Sequence, residues 1–199
     1  FFNSQGFKLP DVVEERIEAI ILDNSEEIPS PIGKDIGICS TLDTASKDYM
    51  DFAKSTINCS LEGLRVALDC GNGASYNVAP DAIKSLGAQV FTICDNPDGL
   101  NINHQCGSTH MDNIMNHTIE NKCHIGLAFD GDADRVLAVD EKGQLIDGDK
   151  IMAIIGLSMK NKGILKDNTI VATVMSNLGF DVMAKENGLN IVKTGVGDR

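Results

Sequence analysis

The sequence predicts an α/β fold built of three-layer α/β/α units with mixed, mostly parallel sheets. Three observations lead there. Short apolar runs alternate with amphipathic stretches of helical period, glycine-containing turns separate them, and the alternation repeats along the chain. Of the 199 residues, 42% are hydrophobic, enough for a substantial buried core. The net charge of −12 makes polyanionic nucleic acid and anionic membrane surfaces unfavourable partners. No apolar run approaches the ~18–20 residues of a membrane span.

The elements follow in order. Pro10-Asp11, with Glu14 and Glu15 near the positive dipole end, opens a helix that places Val13, Ile17, Ile20 and Ile21 on one face. Pro29, Pro31 and Gly33 mark residues 25–37 as loop or edge. Tyr49, Phe52, Ala53 and Thr56 trace a second helix. Residues 64–69 read as a strand broken by Gly71-Asn72-Gly73, and one helix is expected from there to about Leu86, closed by Gly87. Residues 88–94 form the next strand, and Asn96-Pro97-Asp98-Gly99 the next turn. Thr109 with Asp112 has capping-box spacing ahead of a helix carrying Ile114, Met115, Thr118 and Ile119. The strands 125–129 and 136–139 are so close that they must pair antiparallel. A further unit starts near Asp147, with a helical stripe of Ile151, Ile154, Ile155 and Ser158. A strand at 169–174, a helix capped by Ser176 and a strand at 190–194 complete it.

The six cysteines form no CxxC pair, so their spacing suggests neither a zinc site nor a thioredoxin-like motif. Cys70 and Cys94 end apolar runs and read as small core hydrophobes. A reducing, cytoplasmic setting is expected. Phe1-Phe2-Asn3 shows no leader pattern, and the chain stops at Asp198-Arg199 after a Gly-rich turn. Both ends read as cut, and an interior piece of a longer protein is expected.

The chemistry concentrates in Asp130-Gly-Asp-Ala-Asp-Arg135, where carboxylates recur at i, i+2 and i+4 between small residues. Small spacers let such a turn gather its oxygens around a hard cation, Mg²⁺ or Ca²⁺, rather than zinc or copper. An EF-hand is disfavoured because its sixth loop position must be Gly and here is Arg135, although Glu141 stands at the twelfth. An aspartate-nucleophile phosphatase using Asp130 and Asp132 and a Ca²⁺-stabilised structural module are the competing readings. Arg135 can neutralise the cluster or bind a phosphate bidentately beside the ion, as phosphoryl transfer requires. Gly71-Asn72-Gly73 lacks a full phosphate-loop pattern and reads as a tight turn. The four histidines show no ligand spacing, and His110 is the one nearest a distinctive turn.

Leu68-Asp-Cys-Gly-Asn-Gly-Ala74, Gly99-Leu-Asn-Ile-Asn103 with Cys106-Gly-Ser-Thr-His110, and the acidic turn together resemble the α-D-phosphohexomutase superfamily. Val174-Met-Ser-Asn-Leu-Gly179 and Gly195-Val-Gly-Asp-Arg199 resemble its branch that interconverts glucosamine 6-phosphate and glucosamine 1-phosphate. The resemblance implies four domains, with residues 1–60 a C-terminal remnant of the first. Residues 61–146 would be the second, carrying the metal loop, and 147–199 the N-terminal part of the third. It implies Mg²⁺ on Asp130, Asp132 and Asp134, Arg135 beside the moving phosphoryl group, and Asp198 and Arg199 in a loop that reads the sugar. Its nucleophile is a phosphoserine in a Ser-His-Asn-Pro type segment, which does not occur in these residues, so the chain alone is expected to be inactive. The expected partners are a phosphosugar, the remaining domains of the same polypeptide and, in a homodimer, a second copy. Phosphomannomutase or phosphoglucomutase chemistry of the same superfamily is the alternative.

Overall fold

The computed structural model describes residues 3–197, so Asp198 and Arg199 lie outside the described residues. The backbone divides into two compact units, Phe1–Leu42 and Asp43–Arg199.

In the first unit, helix α1 spans Asp11–Leu22, entered through Pro10 with Asp11 and Glu14 in its first turn. None of its residues is buried, and Val13 and Ile21 of the apolar stripe are exposed. Arg16 and Glu26 pair at 2.8 Å across its end.

The second unit begins with α2 (Ala45–Ser55), followed by strand β1 (Arg65–Asp69). A 3₁₀ turn at Ala74–Asn77 leads into α3 (Ala79–Ser85). The single long helix expected here is therefore broken, because Pro80, in the first turn of α3, has no N–H to continue the preceding turn. Gly87 takes the left-handed conformation predicted for it, at φ +100°. Strand β2 covers Gln89–Ile93 and α4 covers Asp112–Glu120. The capping box predicted for α4 does not form. Thr109 is held in a 3₁₀ turn, its Oγ1 meets His110 Nδ1 at 3.2 Å, and α4 starts without a side-chain cap.

Strands β3 (Ile125–Phe129) and β4 (Val136–Asp140) follow, then β5 (Leu145–Ile146), whose two residues are too few to show a period. Helix α5 (Gly148–Asn161) is capped by Asp147, which accepts from Lys150 N at 2.9 Å. Strand β6 (Thr169–Thr173), helix α6 (Leu178–Glu186) and strand β7 (Asn190–Thr194) complete the unit. The cap of α6 is Asn177 rather than Ser176. Its Oδ1 accepts from Phe180 N at 3.1 Å, three residues on, as N-cap geometry demands.

The main sheet has the order β2-β1-β3-β4-β5. β1 pairs parallel with both β2 and β3, whereas β3–β4 and β4–β5 are antiparallel. β6 and β7 form a separate parallel pair. The mixed sheet follows from connection length, since helices carry the chain between β1, β2 and β3 but only six residues separate β3 from β4.

Alternation along the strands makes two cores. Ala67, Ala128 and Val139 pack with Ile114 of α4 on one face, while Val66 and Leu68 pack near Ile83 of α3 on the other. At Gly126 a Cβ would overlap Thr118 Oγ1, so glycine is what lets α4 lie directly on β3.

Candidate metal and phosphate site

The order β2-β1-β3 has a physical consequence. The chain leaves β1 for β2 on one side and crosses to β3 on the other, so the β1 loop turns away toward α3 while the β3 turn runs on into antiparallel β4. The crevice at the carboxyl ends of these two strands is a topological switch point, where parallel α/β sheets place their ligands. The acidic turn emerges from β3 at this point, directly beside Gly71-Asn72-Gly73 from β1.

The turn is held by its own backbone. Asp130 N donates to Arg135 O at 3.2 Å, and Ala133 N donates to Asp130 O at 3.1 Å. Ala133 sits at φ +60°, a left-handed conformation in which a small side chain is tolerated best. Ala74 N donates to Gly131 O at 2.8 Å, and a Cβ on Gly73 would strike the same carbonyl. The glycine turn thus supports the acidic turn from below, which agrees with its reading as a tight turn.

The three carboxylates occupy different environments. Asp130 is only 2% exposed. It accepts from Arg135 N at 3.1 Å on Oδ1, and from Nε at 2.9 Å and Nη2 at 2.7 Å on Oδ2. Burial alone would push its pKa up, but the backbone N–H and guanidinium of Arg135 outweigh that and hold it below the ordinary carboxylate range. The hydrogen bond to Asp130, and then its charge, raises the pKa of Arg135 in turn. Asp134 is exposed and meets Arg135 Nε at 3.5 Å, while Asp132 is exposed at the mouth of a cleft of about 460 Å³. That cleft is walled by Asn72, Tyr76, Pro97, Gly99 and Ile102. Among the described residues, the three acids do not have ligand atoms all within 4.8 Å of one another, so one buried and two open carboxylates share the turn.

The donor set fits a hard divalent cation, because it is made of carboxylate oxygens and two of the three acids are exposed. Asp130 retains lone pairs beyond those that face Arg135. Asp198 and Arg199, the residues assigned to sugar reading, are outside the described residues.

Two residues that support the turn were missed by sequence reasoning. Asp69, wholly buried at the end of β1, accepts from Gly71 N and Gly107 N, each at 2.9 Å. Burial pushes its pKa up, against the pull of those two N–H groups. Asn103 lies between Gly71, Gly107 and Gly131, and its buried Oδ1 has no hydrogen-bond partner. An acid closing an apolar run immediately before Gly-Asn-Gly was the available signal for Asp69. Asn103 gave none beyond its motif.

Comparison with known proteins places the chain in a family. Residues 47–143 match the family described as phosphoglucomutase/phosphomannomutase, alpha/beta/alpha domain II, and residues 147–199 match domain III of the same family. The chain belongs to that phosphohexomutase family. It is 61% identical over its whole length to a phosphoglucosamine mutase of Acetivibrio thermocellus and 57% identical to one of Ruminiclostridium cellulolyticum. It spans 44% of the length of each of these relatives. A phosphoglucomutase/phosphomannomutase family protein of Burkholderia thailandensis shares the fold. That structure has a TM-score of 0.73 at 22% identity, over 96% of this chain and 40% of that one. No helix among the described residues is long and apolar enough to cross a membrane.

Proposed function

We propose that this chain carries the metal-holding part of a phosphosugar mutase that interconverts glucosamine 6-phosphate and glucosamine 1-phosphate. The observation that carries the reading is the Asp130–Arg135 turn at the switch point, in a chain 61% identical to a protein named phosphoglucosamine mutase. Asp130, Asp132 and Asp134 would hold Mg²⁺, which when bound supplies stabilisation of charge on the transferring phosphoryl group. Arg135 keeps Asp130 ionised and presents an exposed guanidinium edge to a phosphate arriving from the cleft. The glycine turn, Asp69 and Asn103 keep the acidic turn in place from below. The same proposal includes domain boundaries at 60/61 and 146/147, sugar reading by Asp198 and Arg199, a phosphoserine nucleophile elsewhere in the complete polypeptide, self-association and a cytoplasmic setting.

Glucose or mannose phosphates as substrates are the nearest alternative and are separated by assay. A phosphatase with Asp130 as nucleophile is disfavoured, since that carboxylate is buried and both its oxygens already face Arg135. In the complete polypeptide, Asp132→Ala is expected to lower glucosamine phosphate turnover by at least about 10²-fold with the fold intact. Turnover at the unsubstituted rate would remove the assignment.

A further inference from the structure

A second group of ligand atoms lies behind the acidic turn. The Asp69 carboxylate and the Cys94 and Cys106 thiols bring one ligand atom each to within 4.8 Å of the other two. They come from three separate segments, the end of β1, the residue following β2, and the loop before α4, which is why spacing along the chain gives no hint of them. Asp69 and Cys106 are buried and Cys94 is half-buried, so one side remains open to solvent.

Three features make this more than a packing contact. Cys94 is held at φ +52°, a conformation that costs a non-glycine residue energy. Asp69 accepts from Gly71 N and Gly107 N, one on each oxygen, and is hydrogen-bonded by the Cys94 thiol, whose proton a metal would replace on a carboxylate already locked in orientation. Asn72 Nδ2 lies 3.8 Å from Cys106 Sγ, a polar contact that would suit an anionic sulfur.

The geometry points to a second metal site, in which Asp69, Cys94 and Cys106 bind a borderline-soft divalent cation of the zinc class, with the open side left to water. Tetrahedral zinc with bonds of about 2.3 Å to sulfur spaces its ligand atoms about 3.5–3.8 Å apart, so sub-ångström to ångström adjustments from the observed cluster suffice. A disulfide would need the sulfurs at about 2.0 Å, and Cys94 and Cys106 are both free thiols. A metal displaces the thiol protons as it binds.

The site has a clear structural consequence. Cys94 and Cys106 stand at the two ends of the loop that carries Pro97, Gly99 and Ile102 into the cleft beside Asp132. An ion across them would clamp the stem of that loop to β1. Two of its three ligands are thiols where those of the acidic turn are all carboxylates, so the two sites select different ions.

The test is a Co²⁺ titration of the complete reduced polypeptide under anaerobic conditions, read by absorption, followed by displacement with Zn²⁺. One ion per chain is expected to give sulfur-to-cobalt charge-transfer absorption that zinc abolishes. The band should survive in Asp132→Ala and in a Cys39→Ser/Cys59→Ser variant. It should weaken in Cys94→Ser and in Cys106→Ser, with zinc affinity at least tenfold weaker against a chromophoric chelator, and vanish in the double variant. Absence of the band in the unsubstituted chain, or its persistence in the Cys94→Ser/Cys106→Ser double variant, would overturn the assignment. Should the serine variants fail to fold, zinc-edge X-ray absorption of the unsubstituted chain decides. Sulfur neighbours at about 2.3 Å support the site, and a shell of oxygen and nitrogen alone overturns it.

Discussion

Asp130 and Arg135 show how one pair sets the charge state of the turn. A buried carboxylate without a counter-charge would take up a proton, and here the Arg135 N–H and guanidinium keep it ionised. Because its folded pKa is depressed, this group's contribution to stability is present above the ordinary carboxylate value of 3.8 and is lost as pH falls through the depressed value. Arg135→Gln is expected to raise the Asp130 pKa, measured by a carboxyl-carbon NMR titration, and an unmoved midpoint would contradict the pairing. Gly107 is the other decisive residue. At φ +70°, with a Cβ placed 2.5 Å from the Phe129 carbonyl oxygen, alanine there meets both backbone strain and backbone atoms that cannot move aside. Gly107→Ala should destabilise by about 1–3 kcal/mol, read as a lower urea midpoint. An unchanged midpoint would mean that the loop does not press on β3.

Among the elements, α6 and α4 give the sharpest checks. Asn177→Ala removes the side-chain acceptor at the start of α6 and should cost about 0.5–2 kcal/mol, whereas Ser176→Ala should cost little. The reverse order in thermal denaturation would restore Ser176 as the cap. Gly126→Ala forces a methyl into Thr118, whose hydroxyl is buried and bonded to Ile114 O at 2.7 Å, so about 1–3 kcal/mol is expected there too. Most element positions were legible in the sequence because apolar period and turn chemistry agree locally, as at β3–β4 and Gly87. The failures share a cause. Thr109 and Ser176 both have cap-forming side chains, but backbone geometry outside the helix decides which residue reaches the N–H groups. The break before α3 and the two-residue β5 are set by Pro80 and by pairing with β4, neither of which leaves a periodic trace.

At the scale of the molecule, the switch point explains why two sequence-distant glycine turns and one acidic turn meet. The position of the acidic turn between two strands was legible, because apolar flanks and small spacers mark it off. What supports it was not, since Asp69, Asn103 and Gly107 act through contacts that only the 2-1-3 strand order creates. The sulfur cluster was invisible for the same reason, and the absence of CxxC pointed away from it.

The central claim is that the turn from β3 to β4 binds one hard divalent ion through its three carboxylates. A Mn²⁺ titration of the complete polypeptide, followed by electron paramagnetic resonance, tests it most directly. One ion per chain should bind, competed by Mg²⁺, with affinity at least tenfold weaker in Asp132→Ala and in Asp134→Ala. Equal Mn²⁺ binding by the unsubstituted protein and both variants would contradict the account.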